Sequence, residues 1–443
     1  MIQASYHFPR GFLWGTATSS HQVEGNNTNN QWFEWEEQGR TRGKSGLACD
    51  WWGGRWREDM DRAAESGQNA HRLSVEWSRI QPRPDVWDEN ALDKYRTMLR
   101  GMKERGLTVM VTLHHYTDPL WLAESGGWEA QEAVLYFQKF VRKTVDALKE
   151  YCSLWCTINE PNGYALNGYV DGTGSFPPGK HDLKLGFRVL ANLVRGHAAA
   201  YRTIHEIQPE ARVGFALHYR SFMPYHRLSP LDRLVTANAN NVVNLTFPHA
   251  LAFGRMRTPF GTVRIPEARG TQDYFGYNYY TRDFVTFDLR KPATLFARNL
   301  YDPGDDLSEN KFLANVPEGL YAGLKWITRL FPNMPILITE NGIESSDDGI
   351  RPRYIAQHIH QMWRAVNLSW PIRGYFHWSL VDNFEWDLGW THRFGLWALD
   401  TETQKRTKRP SADLYAEICK ENGLSSEMVQ KYCPEAFDKI FPG

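Results

Sequence analysis

Eight short apolar or β-branched runs punctuate the chain: FLWGTAT at 12–18, NAHRLSVEW at 69–77, LTVMVTLHH at 107–115, CSLWCTINE at 152–160, ARVGFALHY at 211–219, DYFGYNYY at 273–280, PILITENG at 335–342 and IRGYFHWSL at 372–380. Each reads as a strand. Between them lie longer segments whose apolar residues return every three or four positions. The clearest is DENALDKYRTMLRGMKERG at 88–106, where Leu92, Tyr95, Leu99 and Met102 share one face and Gly106 follows as a stop. Similar segments cover about 129–151, 187–208, 228–252, 318–330 and 351–366. Strands that alternate with helices pair in parallel. Eight such units without a Gly-Pro-Ser linker predict an α/β chain closed into a (β/α)8 TIM barrel, one domain over 1–443 with elaborated βα loops. An open doubly wound sheet is the rival. Against it, the first turn, TATSSHQVEG, lacks G-x-G-x-x-G, and nothing resembles G-x-x-x-x-G-K-[ST], so no phosphate-cradling loop is evident and no cofactor is expected.

The strands end in polar or aromatic residues: Gln22 just past the first, then His115, Asn159 and Glu160, Tyr280, Glu340 and Trp378. A barrel gathers its C-terminal strand ends on one face, where a site is built. On the seventh strand Ile336, Ile338 and Glu340 share parity, so isoleucines filling a barrel layer would turn the glutamate into its mouth. A carboxylate there costs several kcal/mol or takes up a proton unless donors surround it. TENG alone is equally a strand followed by an Asn-Gly turn. TINEP at 157–161 poses the same choice. Two glutamates at two strand ends, both followed by chain-breaking residues, favour a working pair. Without a metal cluster or cofactor loop, a carboxylate pair suits glycosidic bond cleavage: one protonates the leaving oxygen, the other meets the oxocarbenium-like centre.

Composition sharpens this reading. Lys plus Arg and Asp plus Glu both number 51, which removes a global electrostatic case for nucleic acid or an anionic membrane and points to a neutral partner. The 18 Trp, 20 Tyr and 23 Phe supply sugar platforms as well as core, with Trp378, Trp386 and Trp390 following the eighth strand. The five cysteines are scattered and odd in number, so structural thiols in a reducing cytoplasm are expected. The start MIQASYHFPRGFLWG does not read as a signal peptide, and no run approaches the ~20 apolar residues of a membrane helix.

From about Phe8 to Ala412 the chain resembles the family 1 glycoside hydrolases, the retaining β-glucosidase and β-galactosidase group. FLWGTATSSHQVEG matches the family's N-terminal signature, TINEP its acid/base motif, ITENG its nucleophile motif, and WSLVDNFEWDLGWTHRFGL at 378–396 its eighth-strand stretch, with tryptophan where tyrosine is usual. The resemblance implies a β-glucosidase with Glu160 as general acid/base and Glu340 as nucleophile. It implies that Gln22, His115, Asn159, Glu385 and Trp386 bind the hydroxyls of the non-reducing-end sugar, with Trp378 as platform. It places Arg72, Tyr280 and Asn278 as supports of the nucleophile. Substrates would be β-glucosides and short β-linked oligosaccharides, with galactosides and fucosides also accepted. Retention asks for carboxyl groups about 5–5.5 Å apart. Family members that take 6-phosphorylated sugars lack the glutamate at 385, so an unphosphorylated sugar is expected.

Departures mark specific ground. Tyr116, in LHHYTDP, stands where tryptophan often sits, so contacts to the sugar 3-hydroxyl are expected to differ. The long stretch 282–316 is expected to shape the aglycone entrance. The tail 421–443 lies outside the family pattern, with barrel packing or a homo-oligomer contact as its two readings. Three competing activities use the same frame. A metal-dependent hydrolase would need His114 and His115, which are adjacent on a strand and point to opposite sides. A silent sugar-binding protein normally lacks one glutamate, and glycosyl transfer to a sugar uses the same residues as hydrolysis.

Overall fold

The computed structural model describes residues 3–171 and 174–442. Eight parallel strands close into a barrel: β1 (Leu13–Ala17), β2 (Ala70–Ser74), β3 (Thr108–His114), β4 (Leu154–Asn159), β5 (Arg212–Pro224), β6 (Phe275–Phe287), β7 (Ile336–Asn341) and β8 (Ile372–His377). Each pairs with the next, and β8 returns to β1 with Gly374 opposite Leu13 and His377 opposite Thr16. The helices are α1 (Trp56–Glu65), α2 (Glu89–Glu104), α3 (Glu132–Leu148), α4 (Leu183–Ile207), α5 (Thr246–Phe253), α6 (Pro317–Leu330), α7 (Arg351–Asn367) and α8 (Pro410–Glu421). In α2 the expected face of Leu92, Tyr95, Leu99 and Met102 is buried, Asp88 caps the first turn by accepting from the Asn90 and Ala91 amides, and Gly106 takes a left-handed φ of 79° just past the end.

Two apolar clusters explain the layering. A small one holds residues from around the ring, including Ala17, Ala70, Met110, Cys156, Ala216, Leu337 and Phe376, and fills the barrel. A much larger one joins the outer strand faces to the helices, and there Ile336 and Ile338 keep company with Leu324, Ile327, Ile355 and Ile359. This corrects the parity argument: the isoleucines face the helices and Leu337 faces the barrel. Glu340 still turns inward because the β6–β7 register slips between Ile338 and Glu340, so that Ile338 lies opposite Tyr277 and Glu340 opposite Asn278. A similar slip between Cys156 and Asn159 precedes Glu160 on β4. Bulges of this kind re-aim side chains beside active sites.

The long stretch from 282 is partly regular. Phe284, Val285, Thr286 and Phe287 have strand-forming side chains, so β6 runs on to Phe287 and folds back antiparallel on Ala297–Leu300, while β5 extends beside it to Pro224. The tail packs on the barrel. Gly423–Ser425 pairs antiparallel with Ser5–His7, and Trp14 Nε1 donates to Asn422 Oδ1 at 2.8 Å. The Tyr6 hydroxyl donates to the Ile440 carbonyl at 2.7 Å, and its ring stacks on Trp363 and Phe441. Among the described residues no helix is long and apolar enough to cross a membrane, and all five cysteines are buried free thiols.

Candidate active site

A cavity of about 760 Å³ opens at the C-terminal strand ends, and both Glu160 and Glu340 line it. Glu340 ends β7 and is 4% exposed. Its Oε1 accepts from Arg72 Nη1 at 2.5 Å and its Oε2 from the Tyr280 hydroxyl at 2.7 Å, so a fixed cation and a phenol grip both oxygens. Arg72 is itself fully buried on β2. It also donates to Asn159 Oδ1 at 2.6 Å and to the Thr339 carbonyl at 3.1 Å, which ties three strand ends together. Burial disfavours its charge, but Glu340 outweighs burial and keeps it protonated.

Glu160 follows β4 in a left-handed conformation, φ 45° and ψ 57°, as the residue before the helix Pro161–Tyr169. Its amide donates to the Ala216 carbonyl at 2.7 Å. Asn278 Nδ2 donates to Oε1 at 2.8 Å, His218 Nδ1 lies 3.0 Å from the same oxygen, and the Tyr116 hydroxyl donates to Oε2. The two carboxyls thus have different partners, and their proton affinities diverge. Burial, and after it the facing charge of Glu160, overcome Arg72 and push Glu340 up to about 7. Burial works on Glu160 in the same direction, but the charge and hydrogen bond of His218, helped by Tyr116 and Asn278, hold it below the usual carboxylate range. The two therefore titrate as a coupled pair, with Glu340 the better proton acceptor of the two.

Of the expected sugar-binding residues, His115, Asn159, Trp378, Glu385 and Trp386 line the same cavity, and Gln22 stands behind Glu385. Asn159 Nδ2 donates to His115 Nε2 at 3.1 Å. Burial and the nearby Arg72 hold His115 neutral, so its remaining proton sits on Nδ1, which has no protein partner among the described residues. The His115 ring lies between Trp378 and Trp386, with centroids 5.9 and 6.0 Å away and tilts of 28° and 20°. Gln22 donates to the Phe384 carbonyl at 2.8 Å and to Glu385 Oε2 at 3.3 Å. Burial, then the charge of Glu340, push Glu385 up to about 8. Trp390 stays out of the cavity lining and packs on Phe384. His114 turns away from the cavity to Asp118 Oδ1 at 2.9 Å, so the two adjacent histidines point apart, and no cluster of three or more metal-ligating side chains occurs among the described residues.

The match to known proteins decides the family. The sequence profile of Glycosyl hydrolase family 1 covers residues 4–424. The chain belongs to glycosyl hydrolase family 1. Beta-glucosidase A of Thermotoga maritima is 32% identical over 94% of this chain and 98% of its own, and a beta-galactosidase of Sulfolobus acidocaldarius is 30% identical over 95% and 96%. The solved beta-glycosidase from Pyrococcus horikoshii superposes with a TM-score of 0.90 at 36% identity, covering 97% of this chain and 98% of that one. The Thermotoga maritima beta-glucosidase in complex with glucoimidazole gives 0.88 at 30% identity, covering 95% and 100%.

Within this family 1 site, Asn278 departs from expectation. It was placed as a support of Glu340, but Thr339 Oγ1 donates to its carbonyl oxygen at 2.6 Å, which turns the NH2 toward Glu160 and Asn159. Its support goes to the other carboxylate. Tyr116, at the position where contacts to the sugar 3-hydroxyl were expected to differ, spends its own hydroxyl on Glu160. His218 was missed altogether. Strand-end logic would have found it: it lies near the end of the apolar run 211–219, opposite Asn278 in the β5–β6 register, and Asn278 lies opposite Glu340 in β6–β7. The 283–301 hairpin lines the cavity through Lys291, Leu295, Asn299 and Tyr301, in keeping with the role expected of that stretch.

Proposed function

We propose that the chain is a retaining β-glycosidase that hydrolyses terminal non-reducing β-D-glucosyl residues, and β-D-galactosyl or β-D-fucosyl residues alongside. One observation carries the reading: two buried carboxyls face one sugar-sized cavity with unequal partners, Glu340 clamped by a guanidinium and a phenol, Glu160 held by an amide, an imidazole and a second phenol. The clamp keeps Glu340 oriented for attack on the anomeric carbon. In the resting pair Glu340 is the better proton acceptor, so for attack its proton passes to Glu160, which gives it to the departing oxygen as the C1–O bond breaks, and a covalent glycosyl-enzyme forms on Glu340. Esterification removes the charge facing Glu160, which then takes a proton from water attacking C1, so that hydrolysis restores both groups. A sugar hydroxyl in place of water gives transglycosylation. The relatives named beta-glucosidase and beta-galactosidase support a substrate of this class.

The free Nδ1 of His115, the Asn159 amide, Gln22 and Glu385 would hold the sugar hydroxyls over Trp378 and Trp386. Glu340→Gln should lose turnover by roughly 10⁴-fold or more, together with covalent labelling by 2-fluoro-glycoside inactivators. Labelling of another residue would sink the assignment. Glu160→Ala should spare cleavage of 2,4-dinitrophenyl glycosides, whose leaving group needs no proton, and azide should restore turnover with a β-glycosyl azide as product. An α-azide would contradict retention. Neither chelator treatment nor added zinc should change the rate, and a zinc-restored activity would favour the metal-dependent alternative.

A further inference from the structure

His218 is the residue at the site that the activity above leaves without a task. Its backbone is pinned: Asn162, two residues after Glu160, donates from Nδ2 to the His218 carbonyl at 2.7 Å, and Asn162 Oδ1 accepts from the His218 amide at 3.3 Å. The ring stands near Tyr280, centroids 6.3 Å apart and tilted 25°, and Nδ1 reaches Glu160 Oε1 at 3.0 Å. The side chain is 22% exposed and lines the cavity, so solvent protons reach it. It therefore bridges the phenol that holds Glu340 and the carboxyl opposite.

We propose that His218 is a positioning residue for the acid/base: from a pinned backbone it fixes Oε1 of Glu160 and so turns Oε2 to serve the leaving group. This rests on Glu160 being the acid/base. Other charged or titratable groups bear on the pair. Tyr116 donates to Oε2, Tyr280 stacks on the ring with Glu340 behind it, and the Arg220–Asp283 ion pair, 2.6 Å, lines the same cavity. Burial pushes both tyrosines well above the usual phenol range, so they act as donors.

The test compares His218→Phe, His218→Asn and Glu160→Ala on two substrates across pH. His218→Phe should lower kcat/KM for an alkyl β-glucoside about 10- to 100-fold, part of the ~10²–10⁴ that a general acid supplies, and change it less than about threefold for the 2,4-dinitrophenyl glucoside. The charge and hydrogen bond of His218 lower the proton affinity of Glu160, so without the imidazole the alkaline limb of the alkyl profile should move up. His218→Asn can still donate to Oε1 but cannot hold a proton, so it should restore part of the rate and leave the limb shifted. Equal losses on both substrates, or a limb that stays put, would overturn the proposal and leave His218 a packing role. If Glu160→Ala itself fails to distinguish the substrates, the acid/base reading falls first, and this proposal with it.

Discussion

At the scale of single residues, the site is a set of buried charges whose neighbours decide their protonation. Arg72 is the pivot, since its charge is the largest of the effects that offset the burial of Glu340. Removing one partner of a buried pair costs about 3–5 kcal/mol. Arg72→Gln should therefore raise Glu340 above 7, because only the Tyr280 hydroxyl then opposes burial and Glu160. The sign follows: the nucleophile works ionised, so the acid limb of kcat/KM should move to higher pH and the rate at pH 6 should fall by more than the rate at pH 8. A uniform loss at all pH values would mean that Arg72 only positions. Glu385 revises an argument made from sequence. The expectation of an unphosphorylated sugar rests on the glutamate at 385, yet burial and Glu340 push Glu385 up to about 8, and none of the groups that act most on it is a cation. Discrimination against phosphorylated sugars would then come from the lack of a cation beside Glu385, and Glu385→Gln should leave kcat/KM for a 6-phospho-glucoside within about tenfold of the parent, far short of the several kcal/mol of a like-charge contact. Steady-state kinetics on the paired substrates would check it.

At the scale of elements, the alternation of apolar runs and helical segments disclosed all eight barrel strands and six helical segments, because hydrophobic period is set locally by burial on one or two faces. What the pattern could not disclose is register. Side chains alternate strictly only while pairing is regular, and the slips beside Glu160 and Glu340 break that rule where function needs it. The motif residues were legible because they are adjacent in sequence; His218 reaches Glu160 across 58 positions, a contact made by the register of β5 against its neighbours. Helix α6 shows a packing constraint of the same long range. A Cβ on Gly323 would lie 2.0 Å from the Tyr277 hydroxyl, and one on Gly319 would lie 1.9 Å from that of Tyr279. Alanine normally strengthens a helix interior by about 1 kcal/mol over glycine. Here Gly323→Ala should instead destabilise by about 1–3 kcal/mol through overpacking against a buried ring, read as a lower denaturant midpoint with kcat retained.

At the scale of the whole molecule, the tail 421–442 clasps the segment that leads into β1. Leu424, Met428, Val429, Ile440 and Phe441 are all buried. Each such side chain is worth about 1.5–3 kcal/mol on burial, so their sum rivals the ~5–15 kcal/mol that separates a folded chain from an unfolded one. Deleting 423–443 should give insoluble protein or a large fall in melting temperature, and the intact chain should melt in one cooperative transition by calorimetry. Two resolved transitions would mean that the tail folds as its own unit. The same clasp carries a practical consequence. Because Tyr6 stacks on Phe441 at 4.6 Å, the segment before β1 and the tail are seamed together, and neither residue lines the sugar pocket. A carrier or a solid support could be attached along that seam while the pocket stays free.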